Sequence, residues 1–317
     1  MSNSAEQDNP YSTLPVNRIR MTPMGGWMGP ASHLARERER LLTLQFDSFE
    51  HRPLGPSLGA EITGIDLSQP LHRREIDEIR DALCQFKVLV FRDQAIDSTQ
   101  HVEFARCFGE LETHPFIPSN TNHPELVRFE KSDEIAGYEN TWHHDVTWRE
   151  NPSMGAILHA LEVPELGGDT LFADMHAAYE GLDPQVRERI DTLSAVHDYM
   201  RAFGHTVAPA EADKMRAQFP EVIHPVVRTH PETGQRCLFV NTVFTREIVG
   251  VNPEESDELV QYLGSEGSYP EYQIRVRWEP DTLVFWDNRA VMHYASSDYW
   301  PQRRVMERAS IIGDRPV

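Results

Sequence analysis

Residues 274–295 read IRVRWEPDTLVFWDNRAVMHYA, and residues 303–312 read RRVMERASII. Branched and aromatic side chains in short runs favour β-strands, whereas the Pro280-Asp281 and Asp287-Asn288 pairs favour turns. We interpret this C-terminal part of the chain as three strands joined by turns. The fold is therefore predicted to be built mainly from β-structure.

The rest of the chain extends this pattern. KVLVF (87–91) and MGAILHALEV (154–163) are apolar runs of strand length, and TWHHDVTW (141–148) is interpreted as a further strand. Residues 68–86 have the periodicity of an amphipathic helix that flanks the sheet. We predict one mainly β domain with flanking helices over residues 43–317, with a helical insert around 175–202. A polar extension, residues 1–42, precedes it.

Composition limits the classes of partner. Of the 317 residues, 39% are hydrophobic and 25% charged, which is enough for a real core, and the formal net charge is −20. Nucleic-acid binding needs a basic footprint, so the net charge argues against a nucleic acid and against an anionic membrane surface as partners. The three cysteines are few and lack paired spacing, and we see neither a signal peptide nor a membrane-spanning run. These features favour a cytoplasmic protein with a small-molecule substrate.

A histidine and an aspartate stand two residues apart within TWHHDVTW. On a strand, alternate side chains share a face, so His143 and Asp145 point to one side and His144 to the other. An imidazole and a carboxylate together suit a divalent first-row metal. Such a pair is common by chance, and a metal site needs a third ligand.

His293 is the best third ligand, because it follows a strand and a turn within WDNRAVMHYA. Two histidines and one carboxylate are the ligand set of non-haem Fe(II) oxygenases. Zinc hydrolases also use this set, so ligand type alone leaves both classes open.

Two arginines near the C-terminus distinguish these possibilities. On a strand, Arg304 and Arg308 share a face, and inward guanidiniums are costly unless they are paired with anions. The partners are either acids of the protein or bound carboxylates or sulfonates, which arginine binds through two hydrogen bonds. Thr170, which follows the glycines of GGDTLFA, either caps a turn or hydrogen-bonds an acid group that Arg304 also holds.

These segments together carry a family resemblance. The motifs occur in this order: WHHDVTW, GGDTLFA, HPVVRTHPETGQ, FVN, WDNRAVMHYA and DYWPQRRVMERASIIGDRP. The chain resembles the taurine/2,4-dichlorophenoxyacetate dioxygenase family of Fe(II)- and 2-oxoglutarate-dependent enzymes over about residues 45–317. The resemblance implies a double-stranded β-helix, or jelly-roll, core. It implies Fe(II), 2-oxoglutarate and O2 as cofactors and co-substrates, and a homo-oligomer, either a dimer or a tetramer.

The resemblance also assigns roles to residues. It makes His143, Asp145 and His293 the iron ligands, and it assigns the distal carboxylate of 2-oxoglutarate to Thr170 and Arg304. The remaining positions match substrate-binding residues of the taurine enzymes: Arg308, His114, Ile117, Glu139, Phe203 and Phe244.

Two of these positions depart from the taurine enzymes. Ile117 stands where those enzymes have a tyrosine, and Glu139 where they have an asparagine, so we do not expect taurine itself as the substrate. We expect hydroxylation of a C–H bond in a small, anionic organic molecule such as a sulfonate, a sulfate ester or an aryloxy or carboxylic acid. The alternatives are a non-catalytic jelly-roll binding or sensor protein and a zinc hydrolase.

Overall fold

A computed structural model describes residues 31–317, apart from 116 and 138, together with the strand segments 19–20 and 27–28. Most of the predicted extension, residues 1–42, therefore lies outside the described residues. The strands are β1 (Ile19–Arg20), β2 (Trp27–Met28), β3 (Glu50–Pro53), β4 (Ala60–Thr63), β5 (Val88–Phe91), β6 (Leu126–Lys131), β7 (Ser153–Glu162), β8 (Thr170–Asp174), β9 (Ser194–His197), β10 (Val222–Pro225), β11 (Val227–Thr229), β12 (Arg236–Leu238), β13 (Thr245–Ile248), β14 (Gln273–Val276), β15 (Leu283–Asp287), β16 (Val291–Ala295) and β17 (Arg304–Ile312).

Helices flank these strands. They are α1 (Leu34–Thr43), α2 (Arg73–Phe86), α3 (Ser98–Arg106), α4 (Met175–Glu180), α5 (Pro184–Ile190), α6 (Tyr199–Phe203), α7 (Ala212–Gln218) and α8 (Pro253–Ser265). Within the described part of the chain, no helix has the length and apolarity needed to cross a membrane.

Seven strands form the main sheet, in the order β3-β4-β5-β15-β7-β17-β6. Strands β4 and β5 run parallel, and the other neighbours are antiparallel. Every residue of β5 and β15 is buried. Both faces of the sheet are covered at these strands, which explains why their sequences are continuous apolar runs rather than alternating ones.

Helices α2 and α3 cover one face of the main sheet. The apolar side of α2 contributes Ile79, Leu83 and Phe86 to a buried cluster that also contains Phe104 of α3 and Phe285 of β15. The helix begins with a capping box at His72, and it ends where Lys87 takes the left-handed conformation (φ 64°).

A second sheet, in the order β14-β8-β16, faces the opposite side of the main sheet. Between the two sheets, Trp286 of β15 and Met306 of β17 pack in one cluster with Phe172 of β8 and Ile274 of β14. Two sheets that meet through their apolar faces form the core, and the polar site described below opens into the same space.

The structure differs from the sequence-based expectation in three places. The C-terminal part forms four strands, β14 to β17, rather than three. Residues 175–202 contain three helices but also strand β9, which pairs with β10 and β13. Residues 141–148 form an isolated β-bridge followed by a turn, so the prediction of a regular strand there was wrong.

Candidate active site

The backbone brings His143 and His293 together. The two residues form an isolated antiparallel bridge, in which each backbone N–H donates to the other residue's carbonyl, at 3.1 and 2.9 Å. Their imidazole rings therefore lie side by side, with centroids 4.2 Å apart. His293 belongs to β16, so the second sheet fixes the position of both rings.

The chain leaves this bridge through a strained turn that carries Asp145. Val146 has a φ of +47°, which is unusual for a β-branched residue. Asn288, fully buried, clamps the turn: its Oδ1 accepts from the Asp145 N–H at 2.7 Å, and its Nδ2 donates to the Asp145 and Ser153 carbonyls. This clamp explains why the segment departs from the predicted strand immediately after the histidines.

His144 lies on the other side of the chain. Its side chain is fully buried, with its ring centroid 4.9 Å from that of Phe239. Burial lowers the pKa of His144 well below its usual value, so the imidazole is neutral. His144 is a packing residue on the side away from His143, although the regular strand on which the alternation argument relied does not form.

Three side chains bring possible metal-ligand atoms close together. The ligand atoms of His143, Asp145 and His293 all lie within 4.8 Å of one another. Asp145 Oδ1 is 3.7 Å from His143 Nε2 and 3.9 Å from His293 Nε2. Metal–nitrogen and metal–oxygen bonds are about 2.0–2.2 Å long, so an ion can lie at bonding distance from Asp145 Oδ1 and either histidine nitrogen.

The protonation states also suit a metal. The Nδ1–H of His143 donates to the Thr141 carbonyl at 2.8 Å, which leaves Nε2 as the ligand atom. Burial and the neighbouring His143 lower the pKa of His293 to about 3, so its ring binds a metal without first losing a proton.

Asp145 is held as an anion by a neighbouring arginine. Burial by itself would raise the pKa of Asp145, but Arg308 and the two histidines lower it to about 2. Arg308 Nη1 donates to Asp145 Oδ2 at 2.9 Å, so the carboxylate presents Oδ1 to the histidines and Oδ2 to the guanidinium.

The site opens into a cavity between the two sheets. The lining side chains are Phe129, Lys131, Glu139, His143, Leu158, Thr170, Trp286, His293, Ala295, Arg304 and Arg308. Arg304 is 7% exposed, and its Nε and Nη2 have no hydrogen-bond partner among the described residues. Buried guanidinium donors without partners mark a place for an anion.

The cavity contains an ion pair that the sequence did not reveal. Lys131 Nζ lies 2.7 Å from Glu139 Oε1, and Lys131 is the cross-strand neighbour of Arg304. Nothing in the sequence pattern marks Lys131, which ends an ordinary strand, and only the pairing of β6 with β17 brings it to the cavity.

The other predicted substrate residues do not line this cavity within the described part of the chain. His114 Nδ1 accepts from the Ile117 N–H at 3.1 Å, and burial, with the charge of Arg308, lowers the pKa of His114 to about 4. Phe203 and Phe244 lie with ring centroids 6.0 Å apart. They belong to a cluster with Val146, next to Asp145.

The profile of the family described as "Taurine catabolism dioxygenase TauD, TfdA family" matches residues 50–310. The chain belongs to this family. Its TauD/TfdA relatives include an alkylsulfatase of Acinetobacter baylyi, 35% identical over 83% of this chain and 84% of that protein. An alpha-ketoglutarate-dependent sulfate ester dioxygenase of Pseudomonas putida is 35% identical, over 84% of this chain and 90% of the relative.

Solved structures agree with the TauD/TfdA assignment. A putative alpha-ketoglutarate-dependent taurine dioxygenase from Burkholderia xenovorans has a TM-score of 0.75 and 36% identity, covering 85% of this chain and 94% of that one. AAD-2, in complex with Mn(II) and N-oxalylglycine, has a TM-score of 0.73 and 31% identity, covering 84% of this chain and 98% of that one. This TauD/TfdA protein is thus an Fe(II)- and 2-oxoglutarate-dependent dioxygenase.

Proposed function

We propose that His143 Nε2, Asp145 Oδ1 and His293 Nε2 hold the Fe(II) ion. The proposal rests on the convergence of these three atoms within 4.8 Å and on the ionised carboxylate and neutral imidazole that the site provides. Two imidazoles and one carboxylate leave further positions on a six-coordinate ion for co-substrates, as oxygenase chemistry requires.

The distal carboxylate of 2-oxoglutarate is proposed to bind Arg304 and Thr170. The unpartnered Nε and Nη2 of Arg304 support this assignment, because both are buried donors beside the metal ligands.

The two facing sheets are proposed to be a double-stranded β-helix within one domain over residues 43–317. The helices and strand of residues 175–202 would form an insert in this domain.

The substrate is proposed to be a small organic monoanion, and the charges of the cavity support this class. Lys131, Arg304 and Arg308 contribute three positive charges, and Glu139 and Asp145 two negative ones, which leaves one positive charge. The two positive charges of Fe(II) and the two negative charges of 2-oxoglutarate cancel, so a substrate with one negative charge would make the occupied cavity neutral. The relatives named for sulfate esters, sulfonates and 2,4-dichlorophenoxyacetate fit a monoanion.

Arg308 is the proposed anchor for that anion. Its Nη1 is engaged by Asp145, but its buried Nε has no partner among the described residues. His114, Ile117, Phe203 and Phe244 lie outside the lining of this cavity, and they are proposed to contact the part of the substrate that extends beyond it, His114 through a neutral imidazole and the others through apolar surface. Because Glu139 is already paired with Lys131, the cavity favours a substrate without an ammonium group.

When bound, Fe(II) with 2-oxoglutarate and O2 supplies the oxidising power for C–H hydroxylation, and succinate and CO2 leave as co-products. The protein's own residues position the reactants. Arg304 and Thr170 would orient the co-substrate, Arg308 would hold the substrate anion, and the apolar residues between the sheets limit the access of water.

Substrate-dependent succinate release tests this proposal. The Fe(II)-loaded protein with 2-oxoglutarate and O2 is given hexyl sulfate, hexanesulfonate, 2,4-dichlorophenoxyacetate, taurine or hexylamine. We expect at least one monoanion without an amine to stimulate succinate release, and hexylamine to give none. Stimulation by hexylamine alone would contradict the monoanion assignment. Zinc-supported hydrolysis, or tight binding without succinate release, would instead favour a zinc hydrolase or a non-catalytic binding protein.

Two wider expectations remain proposals. The three cysteines are all free thiols, which is the chemistry of a reducing compartment, and we propose a cytoplasmic location on that ground. A homo-oligomer, either a dimer or a tetramer, is proposed from the family resemblance. Light scattering on the purified protein would test it by measuring the mass in solution.

A further inference from the structure

A buried tryptophan contacts the hydroxyl that the proposed co-substrate site uses. Trp278 Nε1 donates to Thr170 Oγ1 at 3.0 Å, and the two residues are 4% and 3% exposed. The contact follows from the pairing of β14 with β8, which places Val276 opposite Thr170 and brings Trp278 just beyond the end of the ladder.

This hydrogen bond has a directional consequence for Thr170. A threonine hydroxyl has one proton to donate and lone pairs that accept. Because the indole N–H occupies the acceptor side of the oxygen, the hydroxyl proton is directed away from Trp278. Thr170 lines the cavity, so its hydroxyl is available there as a donor.

The same tryptophan contacts the arginine of the site. The Arg304 Cζ atom lies 5.9 Å from the Trp278 ring centroid and 5.7 Å from that of Tyr299. Two aromatic rings therefore flank the guanidinium, Tyr299 also by a side-chain hydrogen bond, and the Nε and Nη2 of Arg304 have no hydrogen-bond partner among the described residues.

We propose that Trp278 is a positioning residue for the co-substrate: it sets the Thr170 hydroxyl as a donor and supports Arg304, so that both donate to one carboxylate. The inference rests on the proposed function of the Arg304–Thr170 pair. By this assignment Trp278 contacts Thr170 and Arg304 rather than the carboxylate itself. It acts by making the site select a keto acid with a second carboxylate.

Two keto acids of equal chain length isolate this effect. 2-Oxoglutarate carries the distal carboxylate, and 2-oxopentanoate lacks it. Calorimetric titration of the Mn(II)-loaded protein measures both dissociation constants without turnover. Trp278→Phe keeps a ring but loses the N–H. We expect this variant to bind 2-oxoglutarate about fivefold to tenfold more weakly, because the hydrogen bond from the Thr170 hydroxyl to the charged distal carboxylate is weakened. The affinity for 2-oxopentanoate should change by less than about twofold.

A double-mutant cycle tests the route of the effect. If Trp278 acts through the hydroxyl, then Trp278→Phe adds less than about twofold in the Thr170→Val background, because the two changes remove one interaction. Replacement of Trp278 by benzothienylalanine, in which sulfur takes the place of the N–H, should give the same result if Trp278→Phe does not fold.

Some outcomes would overturn the inference. They are equal weakening of both keto acids, full additivity with Thr170→Val, or an unchanged affinity for 2-oxoglutarate in the tryptophan variants. Arg304→Leu separates this failure from a failure of the proposed function. If Arg304→Leu loses selectivity for 2-oxoglutarate and the Trp278 variants keep it, only the role of Trp278 is wrong. If Arg304→Leu also keeps it, the co-substrate site itself is misplaced.

Discussion

Removal of the Asn288 side chain should weaken metal binding although Asn288 contacts no proposed ligand atom. Asn288→Ala leaves three buried backbone groups without their partner: the Asp145 N–H, the Asp145 carbonyl and the Ser153 carbonyl. An unsatisfied buried group costs about 1–3 kcal/mol, so even the low end of that range lowers the free energy of unfolding by about 3 kcal/mol.

The effect on the metal comes from the strained turn. The left-handed backbone of Val146 costs about 1–3 kcal/mol and persists because the clamp holds it. Without Asn288 the turn can relax and carry the Asp145 carboxylate away from His143 and His293. Loss of a residue that orients a ligand typically weakens metal affinity by about 10–100-fold, and we expect a loss of that size for Mn(II).

The assay is calorimetric titration of Mn(II) into metal-free protein, with urea unfolding in the presence of a chelator. Gln94→Ala is the matched control. Like Asn288, the half-buried Gln94 accepts from one backbone N–H, that of Leu67, and donates to two carbonyls, those of Ile65 and Arg92. Gln94→Ala should lose stability and keep its Mn(II) affinity within about twofold. The reasoning is refuted if Asn288→Ala loses stability but binds Mn(II) as tightly as the unmodified protein.

Three further predictions concern single side chains. Calorimetry should show that His143→Ala weakens the affinity for Mn(II) by about 100-fold, whereas His144→Ala changes this affinity little. Equal losses of affinity would contradict the ligand assignment. Kinetics should show Arg308→Ala raising the KM for the substrate anion far more than that for 2-oxoglutarate, and the reverse order would mean that the two arginines were exchanged. Burial and the nearby His159 lower the pKa of His101 to about 3. The unfolded chain therefore binds this proton first, near pH 6.5, and stability falls from there towards pH 3. Urea unfolding of the metal-free protein measures this effect. Between pH 7 and pH 5, the free energy of unfolding of His101→Gln should fall by about 2 kcal/mol less than that of the unmodified protein; an equal fall would refute the lowered pKa of His101.

The sequence identified the elements whose signal is local. The periodicity of residues 68–86 predicted α2, and the apolar run of residues 87–91 predicted β5 to within one residue. Both patterns arise from burial along a single element, which a sequence displays directly. The family motifs also marked His143, Asp145 and His293, whose ligand atoms lie within 4.8 Å of one another, because each residue lies in a short and distinctive segment.

Features that depend on distant partners were missed. Residues 141–148 have the composition of a strand, but the Asn288 side chain, 143 positions away from Asp145, holds them in a turn. Lys131 reaches the cavity beside Arg304 through the register of β6 on β17, and Trp278 reaches Thr170 through the register of β14 on β8. Alternation along one strand shows which side a residue faces but does not show which side chain meets it there.

Under the proposed assignment, Arg308 couples the binding of the metal to the binding of the substrate anion. One nitrogen of its guanidinium reaches the carboxylate of Asp145, and the same group borders the cavity. An anion that alters this contact changes how tightly the cation is held, and by thermodynamic reciprocity the cation changes the affinity for the anion by the same factor. A preparation short of iron would then differ from a fully loaded one in apparent substrate affinity as well as in its number of working sites.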